Sequence, residues 1–305
     1  MRLFVTGASG WIGSATVPEL LSAGHHVVGL ARSDASADAL SAAGAEVVRG
    51  SLDDLDVLRS AADDSDGVIH LAFNHELAFL SGDFLGAANA DRVAIETFGE
   101  ALDGSDRPFL IASGVIGLPP GKLATEQDGR ELVAGMPEGP AMRHANSHLT
   151  LSFADRGIRS CVVRLPPTCH GAGDNGFVKT LVDIAREKGF AGYVGDGAGR
   201  WPATHRLDVA RAFRLAAEQA PAGSVVHAIA EQGVPTREIA EAIGGALGVP
   251  AQSVAMEDVD AHFGFLGRFF GMDVTCSSAW TRETLGWEPT EQTLIEDLHA
   301  GNYTS

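Results

Sequence analysis

Three glycines stand at regular spacing near the start of the chain, Gly7, Gly10 and Gly13 in "TGASGWIGS". Their chemistry is done by the backbone. One glycine permits a tight turn, the next lets the main chain approach a pyrophosphate, and the third lets the following helix pack closely. The N-terminus of that helix then turns its N–H groups toward phosphate oxygens. Ser9, Trp11 and Ile12 share this loop and are expected to contact the same dinucleotide. Further along, Arg32 and Ser33 close the aliphatic run "HVVGLA". An arginine there suits a 2′-phosphate, whereas an acid would suit a free ribose hydroxyl, so NADP(H) is expected over NAD(H). Asp34 reads as the cap of a helix over 35–43.

A second group lies in "RHANSHLTL". His144 and His148 are four residues apart and share one face of any helix formed there. Either could donate a proton near neutral pH. Arg143 could hold a ribose or carboxamide without losing its charge. Two histidines at this spacing also suit a metal, but no His-Glu-x-x-His and no third ligand accompany them, so no metal is expected. Asn74, His75, His170, Trp201 and His205 are candidates for the substrate side of the cleft. His70 reads as a strand-end residue fixed by backbone bonds. The aromatic stretch "AHFGFLGRFFGM" (261–272) suits the wall of an apolar pocket.

These residues need a frame to hold them. Short aliphatic runs at 2–6, 26–31, 45–50, 67–72, 108–113 and 159–167 read as strands buried on both faces. Helical spacing fills 12–22, 35–43, 54–62, 87–103 and 141–156 between them. That alternation predicts an α/β fold, a Rossmann-type doubly wound parallel sheet with right-handed crossovers. Past Pro167 the pattern changes: 192–201 reads as two short strands around a Gly-Asp-Gly turn, and 208–218 as a helix capped by Asp208. Strand 224–230 and helix 235–247 follow. The expected division is a nucleotide-binding domain over 1–167, with 206–230 returning to it, and a smaller substrate lid over 168–205 and 231–305.

Composition narrows the function further. The chain has 305 residues, 45% of them hydrophobic, and a formal net charge of −18. Such an acidic balance argues against nucleic acid or an anionic membrane as partner, because both require basic patches. Cys161, Cys169 and Cys276 are too few and scattered for a disulfide framework. The first residues enter a strand at once, and no apolar run reaches the roughly 20 residues of a membrane helix. A cytoplasmic location is therefore expected.

The order of several segments resembles the short-chain dehydrogenase/reductase superfamily in its extended or atypical branch. "RGSLDD" (49–54), "VIHLAF" (68–73), "NADRVAIETFGEA" (89–101), "LPPTCHGAGD" (165–174), "GDGAGRWPATHRLDVARAF" (195–213) and "TRETLGWEPT" (281–290) follow the glycine loop in the family's sequence. The resemblance implies that Asp53 borders the adenine and that Leu71, Ala72, Phe73, Pro166 and Pro167 lie along the cofactor. It implies that Ser113, in "LIASG", is the catalytic serine. It also implies a Tyr-x-x-x-Lys pair, which this chain lacks: its two tyrosines, Tyr193 and Tyr303, have no lysine four residues on. Counting back from "DRGIRSCVVRLPP" puts the lysine position between Met142 and His144. The first expectation is NADPH-dependent reduction of a carbonyl or imine in a small, largely apolar substrate. Two alternatives stand beside it: an NADP(H)-responsive regulator without redox turnover, and an epimerase, dehydratase or isomerase. A homodimer through 87–103 and 141–156 is implied by resemblance alone.

Overall fold

The computed structural model describes residues 1–119, 121–130, 135 and 137–303. The opening runs become β1 (Arg2–Thr6), β2 (His26–Ala31), β3 (Glu46–Arg49), β4 (Gly67–His70) and β5 (Pro108–Gly114). Between them run α1 (Gly13–Ser22), α2 (Asp34–Ala42), α3 (Leu55–Asp63) and α4 (Phe84–Ala101). α5 (Glu138–Ser152) then leads through a 3₁₀ turn, Phe153–Arg156, into strand Arg159–Leu165. Phe4, Val5, Val68, Ile69, Phe109 and Leu110 are fully buried. Such runs need helices on both sheet faces, and that requirement selects the parallel arrangement.

The seven-stranded sheet has the order Ser224–His227, Arg159–Leu165, β5, β4, β1, β2, β3, with every pair parallel. It is a Rossmann fold. The order reverses between β1 and β4, and a crevice opens at the carboxyl ends of strands where that happens. Loops after β1, β4 and β5 therefore converge on one edge.

The rest of the chain pairs less simply than its sequence suggests. Strands Ala191–Val194 and Arg200–His205 flank the Gly-Asp-Gly turn, but they do not pair with each other. The first pairs in parallel with Ala251–Val254. The second sits between Thr168–His170 and Glu231–Pro235 in a three-stranded sheet. Around these strands Val178, Leu181, Trp201, Ile239, Phe263 and Phe270 belong to a second apolar core. The stretch 261–272 is not one helix: Gly264, at φ +57°, separates Val259–Phe263 from the turns that follow.

Helix Arg206–Gln219 packs against α1. Its cap is His205, whose Nδ1 accepts from the Leu207 N–H. Asp208 was the expected cap, but its carboxylate accepts instead from the N–H groups of Thr290 and Glu291 and pairs with Arg211. The tail closes back on the strand after Pro167. Asp297, in helix Leu294–His299, meets His170 Nδ1 at 2.9 Å. Tyr303 donates to Asp174 at 3.0 Å and accepts from the Gly171 N–H. Residues 304–305 of the expected lid lie outside the described residues. No described helix is long and apolar enough to cross a membrane.

Candidate functional site

The glycine loop is shaped by what cannot fit. A Cβ on Gly7 would come within 2.7 Å of the Ala72 nitrogen, and one on Gly13 within 2.1 Å of the Gly7 carbonyl oxygen. Gly7 also takes φ +64°, which glycine alone adopts at no cost. Gly10 is exposed, with only the Gly7 oxygen near its missing Cβ. Among the described residues, the N–H groups of Trp11 and Ile12 find no partner within the chain, while that of Gly10 closes the turn onto Gly7. Unpaired donors at the start of α1, beside an open glycine, fit a diphosphate.

At the end of β2 the sequence expectation needs one correction. Ser33, not Asp34, caps α2, because its hydroxyl accepts from the Ser36 N–H while Asp34 sits inside the first turn. Arg49 holds Asp34 at 2.8 Å and also donates to the Ser33 carbonyl. Arg32 is exposed and makes no ion pair among the described residues. Asp53 is exposed too, and the loop around it is fastened by Asp54, whose carboxylate takes the N–H and hydroxyl of Ser51.

Between the sheet and α5 lies a buried chain of polar groups. The Thr6 hydroxyl and His70 Nδ1 are 2.6 Å apart, and Thr6 Oγ1 accepts from the Ala72 N–H. His70 Nε2 faces Asp91 Oδ1 at 3.2 Å. A carboxylate only accepts, so Nε2 carries a proton there and Nδ1 takes the Thr6 hydrogen. His70 is thus fixed by side chains rather than by backbone bonds. The other Asp91 oxygen takes Asn146 at 2.7 Å and Arg143 at 2.8 Å. Burial alone would push the Asp91 carboxyl up, but the Arg143 charge and the His70 and Asn146 hydrogen bonds hold it down at about 2.

Arg143 is therefore anchored rather than free. It donates to the Ala112 carbonyl at 2.8 Å and lies over the Phe73 ring, 4.1 Å from its centroid. One turn along α5, the buried Ser147 hydroxyl meets the Ser113 hydroxyl at 3.0 Å. The i, i+4 pair directed at the end of β5 is Arg143 and Ser147. His144 and His148 lie one residue round the helix, with ring centroids 4.8 Å apart. Among the described residues, neither nitrogen of His144 nor Nε2 of His148 has a hydrogen-bond partner of good geometry. Burial, and then the neighbouring charges including Arg164, lower both pKa values, so both rings are neutral near pH 7.

The substrate-side expectations divide. Phe73, Asn74 and His75 do leave β4 together. Asn74 Oδ1 accepts from the Leu77 N–H and starts a π-helical turn, Glu76–Leu80, while exposed His75 stacks on Phe79. Phe79 then meets Phe177, which packs against the second core, and the exposed Phe265, with centroids 6.4 and 5.9 Å apart. His170 and Trp201 do not reach a cleft. His170 is fully buried on Asp297, and Trp201 is fully buried with its indole N–H on the Phe269 carbonyl. His205 is half-buried and occupied with capping. Leu71, Ala72 and Pro167 are half-buried along the crevice, and Pro166 is buried.

Sequence reasoning missed Asp91, Asn146 and Ser147. For Asp91 a signal was present: it lies on the α4 face formed by Ala87, Ala88, Ala94, Ile95 and Phe98, where an acid needs a partner. Ser147 carries no comparable mark.

Known proteins bear on this arrangement. A family model described as NAD(P)H-binding matches residues 7–109. An uncharacterised protein of Schizosaccharomyces pombe is 45% identical over 304 residues, covering 99% of this chain and 100% of that one. A ketoreductase of Stigmatella aurantiaca, acting on a farnesylated dihydroquinoline oxide, is 28% identical over 228 residues, which is 74% of this chain and 67% of its own. Among solved structures, a dTDP-glucose 4,6-dehydratase double mutant of Streptomyces venezuelae with NAD bound superposes at a TM-score of 0.79. It shares 19% identity, with 99% of this chain and 96% of that one covered.

Proposed function

The chain belongs to the extended branch of the short-chain dehydrogenase/reductase superfamily and carries an NAD(P)-binding domain; on that premise we propose that it is an NADPH-dependent reductase of apolar ketones, aldehydes or imines. When bound, the reduced nicotinamide supplies the hydride. The observation that carries the reading is the Ser113–Ser147 hydroxyl pair set beside a guanidinium that Asp91 and Ala112 hold in place.

Ser113 would hold the carbonyl oxygen and give it a proton as the hydride forms the new C–H bond, and water would then restore that proton. Ser147 orients the Ser113 hydroxyl. Arg143 keeps a guanidinium fixed near the developing alkoxide, an electrostatic contribution to its stabilisation. His144 and His148 are neutral and lie off this line, so they take no part in the proposed proton transfer. Phe73, Phe79, Phe84, Phe177 and Phe265 form a continuous set of ring contacts from β4 to the second core. An aromatic cluster so close to the end of β4 suits an apolar substrate better than a charged nucleotide sugar. The same reading includes a lid formed by 168–205 and 231–305, a homodimer through α4 and α5, and a cytoplasmic location.

Titration with NADPH and NADH, followed by loss of the reduced cofactor against aryl ketones, aldehydes and imines, tests it. NADPH turnover with at least one aryl carbonyl is expected. Tight NADPH binding without oxidation across the panel would replace the reductase with a cofactor-responsive regulator. For cofactor choice, Arg32→Ala should weaken NADPH about tenfold more than NADH.

A further inference from the structure

Most arginines of this acidic chain sit within ion-pair distance of a carboxylate. Arg206 is an exception among the described residues, although it is half-buried. It is the first residue of helix Arg206–Gln219, and its guanidinium carbon lies 4.4 Å from the centre of the Trp11 ring. Trp11 belongs to the glycine loop, and its indole N–H is held 3.0 Å from the Cys169 carbonyl. On the other side, a Cβ on Gly171 would stand 3.3 and 3.4 Å from the Arg206 Cγ and Cδ, so the stem is pressed between Gly171 and the indole. Asp174, whose charge acts on Arg206, already accepts from Tyr303 and the Gly176 N–H.

A cation held half out of water, with an aromatic face but no paired carboxylate among the described residues, gains when an anion arrives. The unpaired N–H groups of Trp11 and Ile12 start on the same loop. We propose that Arg206 is a diphosphate-binding residue, closing over the dinucleotide from the segment that follows the strand Arg200–His205. The glycine loop would then supply neutral donors from one side and Arg206 the counter-charge from the other. Arg32 would serve only the 2′-phosphate. This inference rests on the proposed dinucleotide cofactor but not on NADPH preference.

Calorimetric titration of the full chain separates the two arginines with four ligands: NADPH, NADH, ADP-ribose and adenosine 2′-monophosphate. Arg206→Ala should weaken NADPH, NADH and ADP-ribose each about tenfold and leave adenosine 2′-monophosphate within about twofold. Arg206→Lys, which keeps the charge, should recover most of the loss. Arg32→Ala should show the opposite pattern, losing NADPH and adenosine 2′-monophosphate while sparing ADP-ribose. Unchanged ADP-ribose affinity in Arg206→Ala overturns the proposal, as does an equal loss for adenosine 2′-monophosphate. If Arg32→Ala spares adenosine 2′-monophosphate, only the NADPH preference fails. If the unaltered protein binds none of the four, the cofactor reading itself falls.

Discussion

Helix α5 presents two pairs of side chains, one residue apart, that look equivalent on paper. Arg143 and Ser147 form one pair, His144 and His148 the other, each at i, i+4. In the fold the first pair is tied to groups on other elements that fix it: Asp91, the Ala112 carbonyl, the Ser113 hydroxyl. The second pair has ring nitrogens that find no well-formed hydrogen bond among the described residues. The lesson is that chemical type names a candidate, whereas position and orientation require a partner on another element. Histidine is the more versatile catalyst, yet here the less versatile residues are the ones held in place.

The comparison breaks most sharply at Asp91. Asp91→Ala strands Arg143, Asn146 and His70 in the interior and should cost about 3–5 kcal/mol in urea unfolding, because removing one partner leaves a buried charge uncompensated. The same acid sets an acid limb. Its folded carboxylate titrates at about 2, below the ordinary unfolded value near 4. Its contribution is therefore complete above about pH 5 and is lost as pH falls toward 2, amounting to about 2–3 kcal/mol, and Asp91→Ala should flatten that limb. Next comes Ser113→Ala, which should lower kcat/KM about 100-fold with cofactor affinity unchanged, as loss of a donor to a developing oxyanion does. Ser147→Ala should cost about tenfold in kcat with the substrate KM retained, since it acts through Ser113. His144→Ala and His148→Ala should each leave turnover within about twofold and leave the pH–rate profile unmoved. A loss in either histidine variant larger than that in Ser147→Ala would reverse the comparison.

How much of this could be read from the residues follows the same division. The sheet was legible because its strands are continuous aliphatic runs, and burial on both faces leaves few alternative structures for such runs. The glycine loop was legible because steric exclusion at Gly7 and Gly13 admits no other residue. Strand pairing beyond Pro167 was not, since Ala191 pairs with Ala251 and Arg200 with Pro235, partners 60 and 35 positions further along the chain. The proposed site was half legible. Ser113 and Arg143 are marked by their neighbours in sequence, whereas Asp91 and Ser147 acquire meaning only from elements that fold against them. His170 and Trp201 were misplaced for a related reason: polar and aromatic residues near a cleft in sequence can be consumed by packing behind it.

Asp297 and Tyr303 fasten His170, Gly171 and Asp174, and that same short segment carries the Cys169 carbonyl that receives the Trp11 indole. The tail thus works as a buckle whose tension is felt at the glycine loop. A protease nick or a purification tag placed just before Asp297 would loosen cofactor binding without altering a single residue that touches the cofactor.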